Sequence, residues 1–354
     1  MSKTLLAPLT IGPIDSANPA ARLAALLSDP KLTDLVLNGA QESWADFGGG
    51  LRRVADPCGS SAELEHLARW LLEQADRHID FANPFADCVL TSAELGISGN
   101  DKFRIHAVLA SASSQLTLLS VRKHSNLAIG LHEFVGGRLE LELWLRGVLA
   151  RRENFLISGA TGAGKTTLLR ALLTQVALGY SPSELAAIDN GWIQRNLSPE
   201  RIIAIEEVAE LGPLPGHFVS LQTRQPNTEG RGGITLDDLM RQVLRMRPDR
   251  LVLGEVRGLE LLTLVTALNT GHRGAAGSIH ANNAQAVATR ITTIGLQANL
   301  LLPAVSAAVA EAVQWVIHVE RRGEVRRITQ VSRLEVGQQG ELCAMPVEAL
   351  QGFL

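Results

Sequence analysis

The stretch from Ser158 to Leu173, "SGATGAGKTTLLRALL", carries the most explicit chemistry in the chain. Gly159, Ala160, Thr161, Gly162, Ala163, Gly164, Lys165 and Thr166 match GxxxxGK[ST] in full, and Thr167 follows. Glycines let a chain wrap tightly enough for successive backbone N–H groups to converge on phosphate oxygens. A helix beginning there adds the positive end of its dipole. Lys165 has the reach for β- and γ-phosphates, and the Thr166 hydroxyl suits Mg²⁺. A chance glycine-rich turn would lack the right flanks. Here an apolar, strand-like "NFLISG" precedes the loop and a helical "TTLLRALLTQVA" follows it. The expectation is a site for ATP and Mg²⁺.

Three later segments carry groups that could act on a bound phosphate chain. "RIIAIEEVAEL" is an apolar strand ending in Glu206 and Glu207, with Glu210 just beyond. Parallel strands present their C-terminal ends to the ligand crevice, where carboxylates can hold the water shell of Mg²⁺ or orient an attacking water. The plain alternative is a solvated acidic turn. "RLVLGEVRG" repeats the layout: Glu255 ends a strand, and Arg257 can pair with Glu255 or with a phosphate. In "TGHRGAAGSIHANN", His280 ends another apolar strand and can donate to a γ-phosphate or sense its absence. His272, in the same box, is a weaker candidate for that role. The candidate metal ligands are Thr166, Glu207 and Glu255, and which glutamate of the pair activates water is left open.

The order GATGAGKTTLL, IEEVAEL, LRMRPDRLVLGEVRG, NTGHRGAAGSIHANN resembles the type II/type IV secretion ATPase superfamily. The segment "VSLQTRQPNTEGRGGITLDDLMRQVLRMRPDR" is most similar to the Tad/CpaF-type pilus-assembly branch. The resemblance is dense from about residue 131 to 295 and looser before that. It implies a C-terminal RecA-like P-loop ATPase domain, a hexameric ring, and an inner-membrane platform protein as partner. It also implies two arginines on the N-terminal domain that complete a nucleotide site, at Arg104 in "FRIHAVL" and Arg122 in "SVRK". Such arginines would neutralise charge on the transferred phosphoryl group; the plain alternative is a pair of exposed strand-end side chains. Arg224, in "LQTRQPN", is a further candidate. Two features depart from the family pattern. The acidic box usually reads Glu-Asp and here reads Glu206-Glu207, which lengthens one arm by a methylene. The four-cysteine zinc module of the type II relatives is missing, so no zinc is expected.

These groups need elements to hold them. Short apolar strands alternating with helices after residue 154 predict a mostly parallel sheet covered on both faces. Before it, a helix over 16–30 capped by Ser16 or Asn18, a strand over 32–38, a hairpin over 44–54, an amphipathic helix over 60–78 and strands in "FRIHAVLA" and "LTLLSVRK" predict a small α/β domain. Gly136-Gly137 marks the boundary, giving an N-terminal α/β domain over 1–135 and the ATPase domain over 136–354. Residues 184–198 read as an insertion without an assigned role, most simply a surface excursion.

Composition narrows the function. With 354 residues and 46% hydrophobic content the chain can fill two cores and is not disordered. A net charge of −3 and 4% aromatic residues speak against a nucleic-acid translocase, which needs basic, stacking channel loops. Cys58, Cys88 and Cys343 are far apart and read as buried apolar residues in a reducing compartment. No secretory signal is expected at the start. The apolar run from Leu301 contains Glu311 and Gln314 and reads as a buried helix entering a strand. The leading expectation is a hexameric motor ATPase driving Tad/Flp-type pilus assembly or protein secretion, held at the cytoplasmic face of the inner membrane by partners. The alternatives are a RecA-like translocase of nucleic acid and a regulatory NTP-binding protein that does not hydrolyse.

Overall fold

The computed structural model describes residues 18–113, 116–124, 130–179, 200–224, 231–323 and 325–352. The extreme N-terminus and the insertion at 184–198 lie outside the described residues, as does the Ser16 alternative for the first cap. The chain separates into two compact units, Met1–Leu127 and Ala128–Leu354.

Among its described residues the first unit is a six-stranded antiparallel sheet with two helices. Helix α1 (Pro19–Leu27) starts where the Asn18 side chain accepts the Ala20 N–H, and Pro19 supplies the fixed φ of a first helical turn. Helix α2 (Ser61–Glu73) is capped by Ser60 and turns Leu64, Leu67, Ala68, Leu71 and Leu72 inward. The strands are β1 (Asp34–Asn38), β2 (Ser43–Asp46), β3 (Leu51–Arg53), β4 (Phe85–Thr91), β5 (Lys102–Val108) and β6 (Leu118–His124), in the order β3-β2-β1-β6-β5-β4. Period-two alternation decides which side chains face the core. In β5, Phe103, Ile105 and Ala107 are buried; in β6, Leu119 and Val121 are. Arg104 and Arg122 therefore lie on the opposite face. Burial pushes the Cys58 thiol up to about 11 and the Cys88 thiol up to about 12, leaving both unreactive. Cys343, expected buried, is half-buried because it sits on an edge strand of the second unit.

The second unit opens with α3 (Leu131–Val135), whose Phe134 and Val135 are buried in its core, and α4 (Leu139–Ala150). Gly136 ends α3 in the left-handed conformation, φ 60°. Six strands run parallel: β7 (Phe155–Gly159), β8 (Ile202–Glu206), β9 (Phe218–Gln222), β10 (Arg250–Val256), β11 (Ala276–His280) and β12 (Trp315–Arg322). β13 (Val325–Val336) and β14 (Leu342–Pro346) continue one edge antiparallel, giving β14-β13-β12-β7-β11-β10-β8-β9. Alternate side chains of the central strands enter two separate cores. Leu156, Ile203, Ile205, Leu251 and Leu253 pack with α6 (Leu236–Val243), α7 (Glu260–Asn269), α8 (Ala284–Gln297) and α9 (Leu302–Ala312). Phe155, Ile157, Ile202, Ala204 and Val252 pack with α3, α4 and α5 (Lys165–Leu178). A short helix, α10 (Glu348–Gln351), closes the unit. With helices on both faces, the crevice at the C-terminal strand ends is where a ligand can reach several strands at once.

Candidate active site

β7 delivers the chain to Gly159, and the loop that follows turns through Gly162 (φ 74°) and Gly164 (φ 100°) into α5. Those two angles favour glycine because a Cβ would clash with the adjoining backbone. The first turn of α5 has no side-chain cap, so its N–H groups and the dipole end point at open loop. Lys165 is buried. Its Nζ donates to the carbonyls of Gly159 and Ala160, each at 3.0 Å, and lies 3.2 Å from His280 Nδ1. The loop thus folds around its own ammonium. The Thr166 hydroxyl donates to Glu210 Oε2 at 3.0 Å.

Register places Gly159 beside His280, and β11 in turn beside β10. A chain of charged contacts crosses these strand ends. His280 Nε2 is 2.8 Å from Glu255 Oε1. Glu255 Oε2 accepts from Arg257 Nη2 at 2.6 Å and Nε at 2.9 Å. Arg257 Nη1 donates to Glu207 Oε2 at 2.5 Å. Burial, then the charge of Lys165, lowers the His280 pKa against the opposing pull of Glu255. A neutral imidazole accepting from Lys165 at Nδ1 and donating to Glu255 at Nε2 satisfies both contacts. Burial works against the Arg257 charge, but the hydrogen bonds and charge of Glu255, with Glu207 and Glu210, hold its pKa above the ordinary value.

The acidic box divides into different tasks. Glu206 is only 2% exposed. Its Oε1 accepts the N–H groups of Glu210 and Leu211 at 2.8 and 2.9 Å, and its Oε2 accepts the Ser220 hydroxyl at 3.0 Å. Burial raises its pKa, opposed by those hydrogen bonds. Glu206 braces the loop that brings Glu210 to Thr166, while Glu207 turns to Arg257.

The family model described as type II/IV secretion system protein matches residues 93–319. A Mycobacterium tuberculosis protein named for conjugal transfer is 38% identical over 319 residues, covering 89% of this chain and 84% of the relative. This chain belongs to the type II/IV secretion system protein family. A second relative, the conjugal transfer protein TrbB of Rhizobium radiobacter, is 30% identical over 320 residues, 89% of this chain and 87% of that one. The fold is similar to that of the pilus retraction motor PilT, solved with bound ADP, at a TM-score of 0.57 and 18% identity over 94% of this chain and 84% of PilT.

Within this secretion-family chain, Lys165, His280, Glu255, Arg257 and Glu207 are joined in one run of contacts at adjacent strand ends, while Thr166 is held apart from it by Glu210. Arg224 is not in that network: its Nε donates to Gly232 O at 2.6 Å, bracing its own loop. His272 contacts the Ala267 carbonyl at 3.2 Å after α7. Arg104 and Arg122 belong to the first unit, where they are 40% and 50% exposed and lie near Asp87 and Asp34. Spacing did not reveal Ser220, nor Glu260, whose Oε1 accepts the N–H groups of Arg257 and Gly258 at 2.5 and 2.7 Å. Glu260 stands three residues after Arg257, the spacing of a capping carboxylate, and that signal could have found it. Among the described residues no group of three or more His, Cys, Asp or Glu side chains is arranged to hold a metal by itself. The hydroxyl of Thr166 and the Glu210 carboxylate it donates to are hard oxygen donors. They fit Mg²⁺, an ion that keeps most of its waters and relies on substrate phosphates.

Proposed function

We propose that this chain is a motor ATPase that hydrolyses ATP to drive assembly of a Tad/Flp-type pilus or protein secretion. The observation that carries the reading is the continuous path from Lys165 through His280, Glu255 and Arg257 to Glu207 beside the glycine loop. Lys165 now spends its hydrogen bonds on two loop carbonyls and exchanges them for the phosphate chain of the substrate. The uncapped N–H groups of α5 and the loop of Gly159 to Gly164, with Thr167 following, bind the same phosphates. Thr166 would hold Mg²⁺, which would supply charge neutralisation at the phosphates. Glu255 orients the attacking water and accepts its proton. Arg257 holds the Glu255 carboxylate in place and ties it to Glu207. His280 touches both Lys165 and Glu255, so a change at the phosphate loop reaches the base through one side chain. Glu206 is a positioning residue for the acidic loop. Arg104 and Arg122 complete the site from a neighbouring subunit of a hexameric ring. Contact with the cytoplasmic face of the inner membrane runs through a platform protein.

The Tad assignment is supported by the segment from Val219 to Arg250, and loss of the zinc module agrees with it. A second reading, work in conjugal transfer, is favoured by the names of the Mycobacterium and Rhizobium relatives. Steady-state ATPase assays of wild type and Lys165→Ala test the core of the proposal. Turnover should require Lys165. Adding single-stranded DNA or membranes containing the platform protein separates the readings: stimulation by the membranes is expected, and stimulation by DNA alone would favour a translocase. Absence of turnover under every condition would leave only a non-hydrolysing NTP-binding protein.

A further inference from the structure

The antiparallel hairpin of β12 and β13 stands against the glycine loop, and it brings a cation there that the site described above does not use. A methyl group built on Gly164 would lie 2.5 Å from Arg326 Cδ and 3.1 Å from its Nε, with the Phe134 ring at 3.4 Å. Arg326 therefore rests directly on the residue that opens α5. Its Nε is buried and, among the described residues, has no hydrogen-bond partner. The residue paired with it across the hairpin is Arg321, another cation, whose own Nε donates to Gly323 O at 2.9 Å. The next cross-strand pair is Glu320 with Arg327, and Glu320 is also bound by Arg322 at 3.1 Å.

This is a costly arrangement for a structural arginine. Like charges directly opposite each other in a sheet are destabilising, and a buried guanidinium N–H without an acceptor forfeits its solvation. Burial, and then Arg321, lower the Arg326 pKa, with Glu133 in opposition. Arg250, in the same unit, also leaves its Nη1 without a partner, but its Nε donates to Glu200 at 2.5 Å, an acceptor that the Arg326 Nε lacks. An acceptor supplied by a bound anion would remove the cost at Arg326, and the neighbouring loop is the one read above as binding phosphates. Guanidinium groups match phosphate oxygens in charge and geometry.

We infer that Arg326 is a further nucleotide-binding residue, contributed by the β12–β13 hairpin, which contacts the phosphate chain of a nucleoside di- or triphosphate held in the Gly159–Thr166 loop. The inference rests on the nucleotide-site reading of that loop. It makes the hairpin one wall of the site and gives Arg326 opposite effects on the empty and the loaded protein.

Full-length wild type, Arg326→Gln, Arg326→Lys and Lys165→Ala are compared by equilibrium binding of ADP and ATP with Mg²⁺, and by melting temperature with and without ADP. Arg326→Gln should weaken both nucleotides at least ~10-fold, the scale of a lost charge-assisted hydrogen bond. Its melting temperature without ligand should equal or exceed wild type, because a buried Nε without an acceptor has gone, while the rise on adding ADP should shrink. Arg326→Lys should recover part of the affinity. Unchanged binding by Arg326→Gln, with binding lost in Lys165→Ala, would overturn the inference and leave the site reading standing. A lower melting temperature with an undiminished ADP effect, or failure of both Arg326 variants to fold, would also overturn it, since Arg326 would then serve the fold. No binding by wild type would remove the site reading and the inference together.

Discussion

Arg104 and Arg122 stand directly opposite each other across β5 and β6, on the face of the sheet away from its core. Two cations so placed repel by a few tenths to ~1 kcal/mol. Asp34, the partner of Arg122 on β1, offsets this with an Oδ1–Nε contact of 2.8 Å, and Asp87 lies 3.9 Å from Arg104 Nε. The two arginines are thus matched by two aspartates, closely at Arg122 and more loosely at Arg104.

If that pair completes a neighbour's nucleotide site, it matters to the assembly and little to the fold. Arg122→Ala should move the melting temperature by no more than a couple of degrees, since exposed ion pairs contribute ~0–1 kcal/mol. It should lower ATP turnover at least ~10²-fold, toward the scale of a lost arginine finger. Mixing Arg122→Ala with Lys165→Ala subunits should restore activity above the sum of the two parents, because a mixed interface can join an intact loop to an intact arginine. No recovery in rings shown to be mixed would place the arginines outside a shared site.

The two strand-end glutamates Glu206 and Glu255 should behave differently when their charge is removed. In Glu206→Gln the amide oxygen can still accept the Glu210 and Leu211 N–H groups, and the amide N–H can donate to Ser220. Fold and most turnover should survive. Because burial holds the Glu206 pKa above the ordinary carboxylate value, the carboxylate's contribution to stability is largest below that value and falls as pH rises through the raised one. Glu206→Gln should therefore melt at or above wild type at neutral pH, whereas Glu206→Ala, which orphans buried donors, should lose ~1–3 kcal/mol. Glu255→Gln should keep ATP binding and lose turnover at least ~10²-fold. Equal losses of turnover in Glu206→Gln and Glu255→Gln would show that Glu206 acts in the chemistry too.

These roles show what a sequence can and cannot tell. The glycine loop was legible because phosphate binding demands particular residues at fixed spacing between a strand and a helix. The central parallel strands were legible because burial on both faces leaves unbroken apolar runs such as Ile202–Ile205. β9 and β14 were not read, since edge strands with one wet face carry a broken pattern of burial. Nor does spacing say where a strand-end carboxylate turns. Glu206 and Glu207 are neighbours, yet one is taken by the chain returning at Glu210 and the other by Arg257, fifty residues on. Arg250 looked like an ordinary first strand residue, but Glu200, equally distant in the chain, meets it in the interior.

The contact of Lys165 with His280 predicts an acid-side loss of stability. The His280 pKa lies below the ordinary histidine value, chiefly through burial and then through Lys165. The folded state therefore resists protonation that the unfolded chain accepts. Stability is full above about 6.5 and falls as pH drops from there through the lowered folded pKa. His318, which shares a hydrogen bond with Ser158 at 2.8 Å, is lowered by burial in the same sense. Melting curves of wild type and His280→Gln between pH 5 and 8 should differ in slope on the acid side, the variant declining less. Parallel curves would mean that His318 or other groups carry the effect.

The last prediction concerns the membrane. Among the described residues no helix is long and apolar enough to cross one. The net charge of −3 offers no general attraction to anionic lipid. In the proposed account a platform protein supplies the attachment, and the first unit is the part proposed to meet it, because the second is committed to nucleotide. Purified protein should fail to sediment with plain liposomes and should sediment with liposomes containing the platform protein. Deleting residues 1–127 should abolish that binding, with circular dichroism and nucleotide binding reporting whether the remaining unit folds. Salt-resistant binding to protein-free liposomes would replace the platform account with a direct lipid contact. Undiminished platform binding by a folded truncation would move the docking surface to the second unit.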